Sequence, residues 1–155
     1  MLSGDLGKDI SKRTGRMRTW AFNPHSGGKM ISPTLRREIA ERLEKHAATN
    51  YKGLCSRIDI RFRGALCYID AYKEPKQPDQ KLLEITHESR EAYIERMQNF
   101  PIHLGRIRYF GDDRWSYAFY TYSNERYEAA TFGNGEWFGT PEQAFDMGAR
   151  YLYTE

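Results

Sequence analysis

Cysteine is scarce: Cys55 and Cys67 are the only two in 155 residues, too few for a disulfide scaffold and outside any C-x-x-C or H-x-x-x-H spacing suited to zinc. Long apolar runs are missing as well. No segment approaches the roughly 20 residues that a membrane-spanning helix requires, and the first residues lack the apolar core of a secretory signal. The G-x-x-x-x-G-K-[ST] spacing of a phosphate loop fails at His25-Ser26-Gly27-Gly28-Lys29, and no strand precedes that segment. These absences predict a soluble, cytoplasmic protein with reduced thiols, no cofactor and no metal centre.

What is there is aromatic. Phe, Trp and Tyr make up 14% of the chain and apolar residues 39%, which suits one globular core built on rings. The net charge is only +3, but it is unevenly spread. Residues 1–37 hold eight basic residues against two acidic ones, a net of +6, while the remainder holds sixteen against nineteen, a net of −3. Up to Ile31 the chain has five glycines, few large apolar residues besides Trp20 and Phe22, and no regular period. We therefore read residues 1–31 as a flexible basic arm, with Lys12, Arg13, Arg16 and Arg18 as phosphate-gripping candidates, and residues 32–155 as one domain.

Local signals mark three helices. Ser32 caps and Pro33 opens the first, whose stripe is Leu35, Ile39, Leu43 and Ala47. The Pro-containing stretch from Lys73 to Glu84 reads as an exposed loop, after which Thr86 caps a helix running to Gln98. Thr140-Pro141-Glu142-Gln143 starts the last one in near capping-box form, and Gly148 within it predicts close approach to a neighbouring element.

Alternation marks the strands. Ile58, Ile60 and Phe62 return through Cys67, Ile69 and Ala71 after a turn at Arg63-Gly64, which sets Arg57 against Asp70 and Asp59 against Tyr68. In that hairpin the two cysteines lie roughly 17 Å apart, beyond bonding reach. Residues 104–110 pair with 115–122 across Gly111-Asp112-Asp113, and a turn at Asn124-Glu125 leads to 127–132, setting Phe119 against Ala130. Asn134-Gly135 marks one more turn. A three-residue loop at Gly111 to Asp113 keeps Arg106 and Arg108 out of the core, placing them with Tyr120, Tyr122 and Tyr127 on the reverse face.

That reverse face is the candidate binding surface, because guanidinium groups bind phosphate or carboxylate and tyrosine rings offer stacking platforms. The competing reading is that tyrosine is simply a good strand former and arginine lies flat upon it. Asp59 and Asp70 on neighbouring strands, with His87, are the candidates for catalysis, although the arginines around the two aspartates favour structural pairing. His103, like His87, has no partner at ligand spacing.

The run from Phe62 to Tyr72 (Phe62-Arg63-Gly64-Ala65-Leu66-Cys67-Tyr68-Ile69-Asp70-Ala71-Tyr72), Arg108-Tyr109-Phe110-Gly111, the segment from Ala118 to Ser123 and Gly139-Thr140-Pro141-Glu142 resemble a group of small uncharacterised bacterial proteins. The resemblance covers most of residues 55–152 and implies no activity, cofactor or catalytic residue. The sequence thus predicts an α+β domain: an antiparallel sheet of five to six strands with about three helices packed mainly on one side. Its expected role is a binding or accessory module contacting nucleic acid or an acidic protein surface. The alternatives are a metal-dependent phosphodiester-cleaving enzyme using Asp59 and Asp70, or an oligomer-forming subunit whose aromatic face is the interface.

Overall fold

The computed structural model describes residues 26–153. Its elements, in chain order, are α1 (Pro33–Asn50), β1 (Arg57–Arg63), β2 (Leu66–Tyr72), α2 (Gln80–Thr86), α3 (Arg90–Gln98), β3 (Ile102–Tyr109), β4 (Trp115–Thr121), β5 (Arg126–Ala130) and α4 (Pro141–Ala149), closed by a 3-10 turn at Arg150–Tyr153. The five strands form one antiparallel meander, each pairing with the next in sequence. This is an α+β fold with four α-helices rather than three. No helix among the described residues is long and apolar enough to cross a membrane.

The caps explain where the helices begin. The Ser32 side chain accepts from Leu35 N ahead of Pro33, and Thr140 and Gln143 form a complete capping box ahead of Pro141. The expected loop from Lys73 and the helix start at Thr86 need correction. Asp79 accepts from Leu82 N and starts α2, Thr86 ends it by bonding back to the Leu82 carbonyl, His87 turns the chain at φ 57°, and Ser89 caps α3. A carboxylate cap inside a proline-rich stretch was enough to make a short helix there.

Turn chemistry also corrects two registers while leaving the faces unchanged. The first hairpin turns on Gly64-Ala65, with Gly64 at φ 59° in the first central position, so Asp59 faces Asp70 and Arg57 faces Tyr72. The last hairpin uses a longer loop closed by Thr121 opposite Arg126, which sets Phe119 against Glu128 instead of Ala130. Each shift is of two residues, and a period of two returns every side chain to its original side. Between β3 and β4 the loop is the three-residue one: Phe110 N donates to Arg114 O across Gly111, Asp112 and Asp113. Asn134-Gly135 makes a tight turn, with Phe132 N donating to Glu136 O, but only Gly139 beyond it bridges back to the sheet, at Trp115.

α1 and α4 lie together on one face. Ile39, Leu43, Ala144, Phe145 and Ala149 pack there with Cys67, Ile69, Ile107, Trp115 and Tyr117, all essentially buried. Gly148 lets α4 sit on β3, since a Cβ at that position would overlap the Leu104 carbonyl. Arg42 of α1 clamps this layer, binding both Glu142 oxygens at 2.9 and 2.7 Å and Asp113 at 2.9 Å. The hydrogen bond from Arg42 holds the Glu142 carboxyl below its usual range. Ile31, the last residue of the expected arm, is 1% exposed and belongs to this core, and its N–H donates to the Gly64 carbonyl.

Candidate functional site

Pairing of the strands decides which side chains share the face away from α1 and α4. One cross-strand row runs Arg61, Tyr68, Arg106, Ala118, Ala129, and the next begins Arg63, Leu66, Arg108, Ser116. Tyr120 and Tyr127 stand opposite each other on the same side, and Tyr122, in the loop after β4, meets Tyr120 edge to face with ring centroids 4.9 Å apart. Arg106, Arg108, Tyr120, Tyr122 and Tyr127 are thereby brought together. Lys12, Arg13, Arg16 and Arg18 lie outside the described residues.

The rings make a layer of their own. Tyr68 on β2 and Tyr127 on β5 start three strand spacings apart, roughly 14 Å, yet their centroids meet at 5.6 Å. They lie across β3 and β4 over the small Ala118, which is 4% exposed as a result. Arg61 sits over Tyr68 at 4.9 Å and Arg106 over Tyr127 at 5.4 Å. Burial, and then the neighbouring Arg106 charge, push the Arg108 guanidinium below its ordinary value. Its Nη1 donates to Gly27 O, so Gly27 lies beside this face.

A polar chain runs through the rings. Asp70, 4% exposed, accepts from Arg61 at 3.2 Å through one oxygen and lies 2.8 Å from His103 Nδ1 through the other. Asp59, directly opposite Asp70, is exposed and reaches Arg61 at 3.8 Å, so one guanidinium serves both carboxylates. His103 stacks at 4.5 Å on Tyr120 and lies 6.1 Å from Tyr122. Desolvation pushes the Tyr127 phenol up, the Asp70 charge adding to it. Tyr127 Oη is buried without a hydrogen-bond partner among the described residues.

Among the three catalytic candidates, Asp70 spends both oxygens on Arg61 and His103, Asp59 stands in solvent, and His87 is an exposed helix cap on α2. Among the described residues no three His, Cys, Asp or Glu side chains converge to hold a metal ion.

The Asp70–His103 pair depends on an irregularity. Between Ile69 and Asp70 the β2–β3 register slips, so Ile69 faces Gly105 whereas Asp70 faces His103. Without that bulge His103 would face Ala71 and point toward the helices. Gly105 enables the bulge, because a Cβ there would run into the Tyr117 ring. A strand glycine was the only available sequence signal.

Where β2 and β4 end and β3 begins, a pocket of about 610 Å³ opens between the sheet, the 73–79 loop and α3. His103, Tyr120 and Tyr122 contribute from the sheet, Tyr93, Met97 and Phe100 from the helical side. The face and the pocket are continuous, since Tyr120 lines the pocket and its ring lies 5.2 Å from Tyr127. No family model, curated protein or solved structure matches this chain.

Proposed function

We propose that the protein binds single-stranded nucleic acid across the face carrying Arg61, Arg106, Arg108, Tyr68 and Tyr127. The observation that carries this reading is the alternation of guanidinium and phenol groups: Arg61 over Tyr68 and Arg106 over Tyr127, with the two rings in contact. Phosphates take the arginines and unstacked bases take the rings, a combination that tolerates any sequence and disfavours a duplex, whose bases are already stacked. An anion beside Arg108 would also offset the burial and the Arg106 repulsion that together hold its guanidinium below the ordinary value. Lys12, Arg13, Arg16 and Arg18 are further candidate phosphate contacts, in a part of the chain outside the described residues.

A single-stranded ligand is favoured over an acidic protein because the rings form a continuous layer, whereas carboxylates alone would need only the arginines. The same reading assigns the protein to a reducing intracellular compartment, where Cys55 and Cys67 stay unpaired.

Fluorescence anisotropy with a labelled single-stranded 12-mer tests the reading. Affinity should fall steeply from 50 to 200 mM salt, and Arg106→Gln with Arg108→Gln should weaken binding about tenfold or more while flattening the salt slope by roughly 0.7 per lost phosphate contact. Salt-insensitive binding, equal affinity for duplex, or preference for an acidic peptide would overturn it. So would a dimer in light scattering that Tyr122→Lys disperses, since the face would then be an interface between copies.

A further inference from the structure

We infer that the pocket beside His103 takes one nucleobase, with His103 Nε2 accepting a hydrogen bond from an amino or ring N–H group of that base. The inference deepens the single-strand reading and rests on it: the strand lies on the arginine and tyrosine face, and one of its bases turns in at Tyr120.

Three observations select this ligand. The first is the fixed imidazole. Asp70 occupies Nδ1 at 2.8 Å, and a carboxylate acceptor places the neutral ring's proton on that nitrogen, so Nε2 presents its lone pair. Among the described residues Nε2 has no hydrogen-bond partner, and His103 lines the pocket. The second is shape. The pocket of about 610 Å³ has ample room for a base, and its walls, Tyr93, Tyr120, Tyr122 and Phe100, are aromatic side chains that hold planar rings by stacking. The third is charge. The pocket's charged residues are Lys73 and Lys76 against Glu74 and Asp79, which balance, so nothing there draws a phosphate in. The adjoining face adds Arg106 and Arg108, while the Arg61 charge is already met by Asp59 and Asp70. An uncharged ring inside and its phosphates outside is the arrangement that satisfies both surfaces.

Titration of the full chain with adenosine, cytidine, guanosine and uridine, followed through the ring resonances of Tyr120 and Tyr122 in parent and variants and of His103 in the parent, tests this without any phosphate contact. At least one nucleoside should shift those resonances saturably. His103→Phe keeps a ring but removes the acceptor, and it should weaken that nucleoside about tenfold. Met97→Arg fills the pocket from α3, a helix that buries none of its residues, and it should abolish binding with the fold intact. Arg106→Gln with Arg108→Gln should leave nucleoside affinity within about twofold, since those groups serve phosphates. The inference is overturned if no nucleoside shifts the resonances, or if His103→Phe binds as well as the parent. Salt-dependent binding of the 12-mer with no nucleoside binding would sink the pocket and leave the face. Nucleoside binding without 12-mer binding would sink the face and leave the pocket.

Discussion

The two faces of the sheet are built from the same strands, yet they are held by different forces. On the helix side Trp115, Tyr117, Ile107 and Phe145 are buried, and the layer is fixed by volume. On the other side Arg61, Asp70, His103, Tyr68 and Tyr127 are joined by ion pairs and ring contacts, and α3 stands over only the His103 end of the face, across the pocket. A pleated strand presents alternate residues to opposite sides, so one short sequence carries both sets. The lesson is that one face is fixed by packed volume, whereas the other is fixed by paired charges and ring contacts.

The largest effect should come from the covered side. Trp115 is fully buried, stacks on Tyr109 at 4.8 Å and donates through Nε1 to Asp113 at 3.1 Å. Trp115→Ala removes a ring from a close-packed layer and should cost about 3–5 kcal/mol in urea unfolding, enough to leave little native protein. A loss below about 1 kcal/mol would mean that the layer refills easily, and the contrast between the faces would lose its basis.

The carboxylates of the open face come next. Asp70 is buried and doubly bonded, whereas Asp59 opposite it is exposed. Asp70→Asn should cost about 2 kcal/mol by weakening two charge-assisted hydrogen bonds, and Asp59→Asn should change stability by less than about 0.5 kcal/mol. Equal costs would show that the network does not distinguish them and that the open face is held by its rings alone.

Local chemistry was the part most legible in the sequence. Ser32, Pro33, Thr140, Pro141 and Gln143 act on neighbours within a turn, so their roles follow from spacing alone. The side of the sheet on which Arg106, Arg108, Tyr120 and Tyr127 stand followed from the period of two, which survives an error of two residues in register. The registers themselves depended on which residues turn, and glycine at position 64 could begin or end the bend. Asp70 meeting His103 was not legible, because 33 residues separate them and a bulge at Gly105 decides on which side the histidine falls. The pocket was hidden for a related reason: α2 starts at Asp79 within a stretch whose prolines suggested only loop.

The smallest effect offers the finest test, because the same substitution can be made on each face. Tyr117 on the covered side donates through its hydroxyl to Leu104 O at 2.8 Å, in a buried setting. Tyr127 on the open side buries its hydroxyl with no hydrogen-bond partner among the described residues. Removing the first oxygen by Tyr117→Phe deletes a made bond and leaves the Leu104 carbonyl without that donor, a loss of about 1 kcal/mol. Removing the second by Tyr127→Phe deletes only a desolvated group, so stability should hold or rise by a few tenths of a kcal/mol. Because that hydroxyl is buried, a strand on the face does not reach it, and Tyr127→Phe, which keeps the ring, should leave 12-mer binding within about twofold while the protein becomes no less stable. If Tyr127→Phe instead destabilises as much as Tyr117→Phe, the hydroxyl belongs to the fold, and the two faces are less different than their contacts make them.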